Sequence, residues 1–283
     1  MKIGDRFKIR FGGGNTEMEF CWIPGGTFWM GSWEGYSTEQ PLHRVSIHET
    51  TSGAGQSPGF WMGRFPVTQR QYAAFRPDHQ SGFQAADGDV AAWLRPVEEV
   101  SWEDAMEFVS DLNELPEVEL PGGFVLSLPT EAEWEYSCRA GTGTDYSSGD
   151  GASALLECGW FGQDWGVGTR PVGELLANGW GLHDMHGNVW EWCLDAYESN
   201  IYRHRIDGAC DPIVSGPQDA ARAHRGGSWG GAAGFCRSAF RDGFAPGFRY
   251  RYFGFRLACV QAPLPNVAVH VMQTPSVRQQ LTN

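Results

Sequence analysis

No run of eighteen apolar residues occurs anywhere in the 283-residue chain, so the sequence offers no membrane-spanning helix. The amino terminus, M-K-I-G-D-R-F-K-I-R, has no apolar signal core. The cytoplasm is therefore the default expectation, with surface display if a leader has been removed. Positive charge is scarce: 21 Lys and Arg stand against 34 Asp and Glu, a formal net charge of −13. That balance argues against nucleic-acid binding, which needs a basic footprint. C-x-x-C is absent, which removes zinc-ribbon and thioredoxin-like readings. The seven cysteines are scattered and odd in number, so buried inert thiols are expected rather than a disulfide framework. Internal repeats are missing too. The polar loop T-T-S-G-A-G-Q-S-P-G (50–59) separates two apolar stretches rather than two domains.

Glycine (38 residues) and tryptophan (13) are abundant instead, indicating a compact chain with much turn and loop. Three helix starts follow from capping chemistry. Thr68-Gln69-Arg70-Gln71 has the capping-box form, with Val67 and Tyr72 placed as a hydrophobic staple. Ser101-Trp102-Glu103-Asp104 is a weaker version, because Asp is shorter than Glu. Behind it Trp102, Ala105, Met106, Val109 and Leu112 recur at helical spacing until Pro116. Thr130-Glu131-Ala132-Glu133 is the third box, followed by Trp134 and Tyr136. Between them lie strand-like pieces punctuated by Gly and Pro: F-W-M-G-S, H-R-V-S-I, F-V-L-S-L and V-W-E-W. The pattern predicts a mixed α+β fold: a single domain over residues 1–259 and a loosely packed tail over 260–283.

From Cys236 to Leu257 two patterns interleave. Arg237, Ser238, Ala239, Arg241, Pro246, Arg249, Gly254, Phe255 and Arg256 form one. Phe240, Asp242, Gly243, Phe244, Phe248, Tyr250, Arg251 and Tyr252 fill the gaps and follow neither strand nor helix periodicity. Aromatics outside a core period are expected at the surface, where such a patch marks a binding site. Packing into the core is the competing assignment. Arg225, Arg237, Arg241, Arg249 and Arg256 make the segment basic within an acidic protein. Bidentate pairing with carboxylates is favoured over a phosphate site, since such pairs pin loops that lack ladder hydrogen bonds.

The order of the remaining motifs is more specific. G-G-T-F-W-M-G-S (25–32), P-L-H-R-V (41–45), F-P-V-T-Q-R-Q-Y-A-A-F (65–75), P-V-E-E-V-S-W-E-D-A (96–105), L-P-T-E-A-E-W-E-Y (128–136), G-L-H-D-M-H-G-N-V-W-E-W (181–192), R-G-G-S-W (225–229) and G-F-R-L (254–257) follow one another. Together they resemble the formylglycine-generating enzyme, or sulfatase-modifying-factor, family over roughly residues 18–259. The resemblance implies a large, divergent C-type lectin-like fold, rich in irregular loops, with a ligand face near its C-terminal end. It also implies an oxygen-dependent activity in which two cysteines after G-G-S-[WY] hold copper, because soft Cu(I) takes a two-sulfur arrangement. Here Gly230 and Gly231 stand where the first cysteine belongs, and only Cys236 is present.

A second branch of that fold resembles this chain more closely in the odd segment. Variable proteins of diversity-generating retroelements, which include a bacteriophage tropism determinant, carry a framework close to R-G-G-S-W-x-x-x-A-x-x-C-R-S-A-x-R-x-x-x-x-P-x-x-R-x-x-x-x-G-F-R-L. Every framework position is kept from Arg225 through Leu257. In that family adenine-directed mutagenesis of Asn codons diversifies the x positions and never yields Trp, Met, Lys, Glu or Gln. Gly230, Gly231, Ala232, Phe235, Phe240, Asp242, Gly243, Phe244, Phe248, Tyr250, Arg251 and Tyr252 contain none of these. The resemblance makes these residues the expected ligand-binding set.

Trp190 and Trp192 should share one face of a strand, with Glu191 on the other. Asp184, Glu191 and the carbonyls of Gly187 and Val189 match positions that hold calcium in the resembling enzymes. Hard oxygen donors suit that ion, and carboxylates satisfied by framework hydrogen bonds are the alternative. His183 and His186 lack a third ligand and are weak evidence for zinc. The expectation is a non-catalytic protein that grips a protein or other macromolecule and requires no cofactor, structural calcium apart. A reverse transcriptase and a template repeat are expected in the gene neighbourhood. The alternative is an oxygen-dependent formylglycine-generating enzyme or a related non-haem-iron sulfoxide synthase.

Overall fold

All three capping boxes form. Thr68 accepts from the Gln71 amide while the Gln71 side chain accepts from the Thr68 N–H, and α1 (Gln69–Ala73) follows. Ser101 and Asp104 do the same for α2 (Trp102–Glu114), whose buried stripe is Trp102, Ala105, Phe108, Val109 and Leu112. Met106, expected on that stripe, is half-buried at its margin. Thr130 and Glu133 open α3 (Glu131–Arg139), which is buried along its whole length. Two short helices, α4 (Gly151–Leu155) and α5 (Ile201–His204), complete the set among the described residues. In this computed structural model those are 1–48, 59–84, 91–164, 166–205 and 207–262. The expected 50–59 loop, Gly59 apart, and tail residues 263–283 lie outside them.

The largest sheet has the order β1 (Arg6–Phe11), β2 (Thr16–Pro24), β5 (Gly59–Gly63), β14 (Ala258–Gln261), β6 (Phe124–Ser127). Its fourth member, β14, is inserted antiparallel between β5 and β6. Val260 and Gln261, expected in the tail, instead pair with Val125 and Phe124. A second sheet joins β10 (Ala209–Cys210), β4 (His43–Ile47) and β3 (Gly26–Met30). The third, β12 (Asp242–Phe244), β11 (Arg222–Arg225), β9 (Trp190–Ala196) and β13 (Phe253–Gly254), carries most of the interleaved segment. The short strands β7 (Gly159–Trp160) and β8 (His186–Gly187) pair in parallel.

Strand alternation on β9 sends Trp190 and Trp192 into a cluster with Phe108, Phe253 and Phe255. Glu191 turns the other way, where Trp134 Nε1 donates to it at 2.6 Å. Trp22, Trp134, Trp192 and Trp229 are fully buried, and Trp61, Trp102, Trp180 and Trp190 nearly so, which accounts for much of the tryptophan content. All seven cysteines are unpaired; six are buried and Cys210 is exposed. Burial pushes the Cys138, Cys236 and Cys259 thiols up to about 12, so they are inert at neutral pH. Among the described residues no helix is long and apolar enough to cross a membrane.

Candidate functional site

Each framework arginine ends on a carboxylate. Arg225 and Arg241, both fully buried, converge on Glu131, at 3.0 Å from Arg225 and at 2.6 and 2.7 Å from Arg241. Arg225 also meets Glu135 at 2.9 Å and donates to the Tyr202 hydroxyl and to the carbonyls of Ser238 and Phe240. Burial alone would raise the Glu131 carboxyl, but the Arg241 and Arg225 charges outweigh it and bring it down to about 2. Arg256 is bidentate to Glu191 at 2.6 and 2.7 Å, and Arg237 is bidentate to Glu39 at 2.7 and 2.9 Å. Arg249 is bidentate to Asp104, the residue that also closes the α2 capping box. These pairs tie the irregular segment to α2, α3, β9 and the loop after β3. Their charges are neutralised within the protein, which leaves them no phosphate to bind.

Between the anchors the other side chains reach the surface. Gly230, Ala232, Phe235 and Phe244 are exposed, and Gly231, Asp242, Gly243, Phe248, Tyr250, Arg251 and Tyr252 are half-buried. Phe244, Phe248, Tyr250 and Tyr252 form a ladder with successive ring centroids 4.4, 6.2 and 4.6 Å apart. Arg251 lies over the Tyr250 and Phe83 rings at 5.8 and 5.9 Å. Phe240 departs from expectation: it is 8% exposed and belongs to the core. Trp190 lies 5.6 Å from it on the inside, while Phe235 at 5.0 Å and Tyr36 at 5.3 Å cover it. Tyr36 comes from the opposite end of the chain, so no local spacing signals this contact.

The glycines at the face differ in kind. A Cβ at Gly230 would meet nothing within 4 Å, whereas one at Gly243 would lie 2.3 Å from the Tyr197 ring. Side-chain variation thus has room at the first and not at the second. Beneath the ladder sits His224, which sequence reasoning passed over. Its ring is enclosed by Trp190, Phe253, Trp192 and Phe244 at 4.8, 4.8, 5.7 and 5.8 Å, and neither nitrogen has a hydrogen-bond partner. Burial lowers its pKa to about 3 and holds it neutral.

Of the four residues that the resemblance implied for calcium, the two carboxylates accept protein hydrogen bonds. Both Glu191 oxygens are taken, by the Arg256 guanidinium and the Trp134 indole, and its charge is neutralised there. Asp184 accepts from the Gly173 amide at 2.8 Å and from Asn188 Nδ2 at 3.2 Å, and burial raises it to about 6. Gly187 lies in β8, and Val189 is buried beside β9. His183 and His186 are held by the carbonyls of Leu175 and Cys236. Among the described residues no three His, Cys, Asp or Glu side chains meet in a way that could hold a metal ion. Cys236 is buried against Gly227, where a Cβ would lie 2.5 Å from its sulfur; residues 229–235 contain no cysteine, and Cys158 shares the buried cluster around Cys236.

A scaffold of short helices and strands, with one face built from loops pinned by buried ion pairs, defines a protein of the C-type lectin-like class in its larger, loop-rich form. A family model described as the sulfatase-modifying factor enzyme 1-like domain matches residues 12–261, and the chain belongs to that family. The formylglycine-generating enzyme of Mycobacterium tuberculosis is 30% identical over 86% of this chain and 97% of its own length. A serine/threonine-protein kinase pkn1 of Chlamydia caviae is 31% identical over 86% of this chain, which spans only 38% of that relative. Among solved structures, Treponema denticola variable protein 1 is similar with a TM-score of 0.71 and 28% identity, covering 90% of this chain and 98% of its own. PvdO from Pseudomonas aeruginosa has a TM-score of 0.71 at 24% identity over 92% of this chain and 99% of its own, a likeness of fold.

Proposed function

We propose that this chain is a non-catalytic ligand-binding protein that presents a diversified surface from residues 225–257 to a protein or other macromolecule. One observation carries the reading: within a single segment the framework arginines are locked in ion pairs, while every intervening position named above except Phe240 reaches solvent at least in part. Such a split lets surface residues change without loss of fold. The fillers have suitable chemistry. Phe235, Phe244, Phe248, Tyr250 and Tyr252 supply contact area at low entropic cost, and Gly230 and Gly231 leave room for a partner. The likeness to a variable protein supports the diversification. Sequencing the surrounding locus tests it. A reverse transcriptase gene and a near-copy of the 225–257 coding segment, differing at adenines, are expected nearby; their absence would return the chain to its enzyme-like relatives.

A second reading rests on the formylglycine-generating relative at 30% identity. It requires copper-dependent oxygen consumption with a cysteine-containing sulfatase peptide. We expect none, because Gly230 and Gly231 replace the partner that Cys236 would need.

A further inference from the structure

Two of the large side chains most open to solvent lie outside the 225–257 segment, on the loop that follows β3. Trp33 is 71% exposed and Tyr36 is 54% exposed. Tyr36 is continuous with the face already described, since its ring packs on Phe240, and Phe240 in turn packs on Phe235. The loop is held from within. Gln40 Nε2 donates to the carbonyls of Trp33 and Gly35 at 3.1 and 3.0 Å, and Ser32 Oγ accepts from the Glu34 and Gly35 amides. Buried Glu39 anchors its end on Arg237. Rings presented on so constrained a backbone lose little freedom on binding.

Charge decides what such rings would accept. The three guanidinium groups hydrogen-bonded to this loop are already paired: Arg139, which reaches the Gly31 carbonyl, with Glu135, Arg237 with Glu39, and Arg241, which reaches the Thr38 carbonyl, with Glu131. Glu34 is exposed and lies between the two aromatics in sequence. The whole chain carries a formal charge of −13. Aromatic faces beside a carboxylate on an acidic protein favour a cation.

We propose that the 31–40 loop is a fixed extension of the ligand-binding face, and that Trp33, Glu34 and Tyr36 receive Lys or Arg side chains from a basic segment of a protein partner. This rests on the reading of the 225–257 face as a site for a macromolecule. The loop supplies contact that does not depend on the diversified positions, so differing faces would share one docking preference.

Fluorescence anisotropy of a labelled octa-arginine peptide against the full chain, at physiological ionic strength, tests the proposal. The Trp33→Ala/Tyr36→Ala double variant should bind it about fivefold or more weakly. Glu34→Lys, whose side chain is exposed, should also weaken binding, while Trp93→Ala, an exposed aromatic outside both the loop and the 225–257 segment, should leave it unchanged. Melting temperatures establish that each variant is folded. Undiminished binding by both loop variants overturns the proposal. So does equal binding of octa-glutamate, or a neutral maltoheptaose probe that the double variant loses while octa-arginine binding persists. A locus without a reverse transcriptase would remove the diversification and leave this measurement standing, so the two failures are distinguishable.

Discussion

His224 and its neighbours show at the scale of single residues how the exposed ladder depends on what lies beneath it. The ring is buried, neutral and without hydrogen-bond partners. Its folded pKa, about 3, lies below the ordinary 6.5, so between those values the unfolded chain takes up a proton that the folded chain refuses. Stability is therefore lost as pH falls from 6.5 toward 3. His224→Phe fits the aromatic cage and removes this penalty, so its melting-temperature advantage should grow as pH is lowered from 7 to 4. A pH-independent difference would contradict the neutral assignment. Glu98, raised to about 7 mainly by burial, acts in the opposite sense: its contribution is present below 4.5 and lost as pH rises through 7. Comparing variant with parent cancels that effect. Volume separates the other positions. Gly243→Phe must displace Tyr197 and should cost about 1–3 kcal/mol, whereas Gly230→Phe should fall within about 0.5 kcal/mol. Phe240→Ser should cost about 3–5 kcal/mol and Phe244→Ser far less, as read from denaturant midpoints.

At the scale of elements, α3 is the hub, because Glu131 sits between two buried guanidinium groups. Glu131→Gln leaves Arg225 and Arg241 without their shared anion and should destabilise the fold by about 3–5 kcal/mol in urea unfolding. Its contribution is present above 4.5 and disappears as pH falls toward 2, since the folded carboxyl is held low by both arginines. Arg249, by contrast, meets Asp104 at the surface, and Arg249→Ala should cost only about 0–1 kcal/mol. The capping boxes that start α1, α2 and α3 were legible because each joins residues three apart. The arginine pairing was legible in kind but not in partner. Nothing near Arg225 or Arg241 in the chain points to Glu131, which the packing of α3 against β11 brings to both.

For the whole molecule, the absence of paired thiols has a direct readout. A thiol reagent should titrate one cysteine, Cys210, in the folded protein and seven after denaturation. Rapid reaction of several thiols in the native state would show that the buried cysteines are accessible. The residues that the resemblance implied for calcium show how a distant part of the chain reaches a local cluster. Asp184, Gly187, Val189 and Glu191 are close in sequence, but Arg256, arriving from the far end of the chain, occupies Glu191. Phe240 is the same lesson in reverse, since a filler position became core once Tyr36 closed over it.

Helix starts, strand alternation on β9, buried thiols and the division of the C-terminal segment into two interleaved sets were decided by the amino-acid order alone, because each rests on neighbours or on composition. Which carboxylate each arginine meets, which filler is submerged and where Tyr36 packs on Phe240 were decided only by the tertiary structure. Those contacts link residues distant along the chain, and burial and charge pairing act through space.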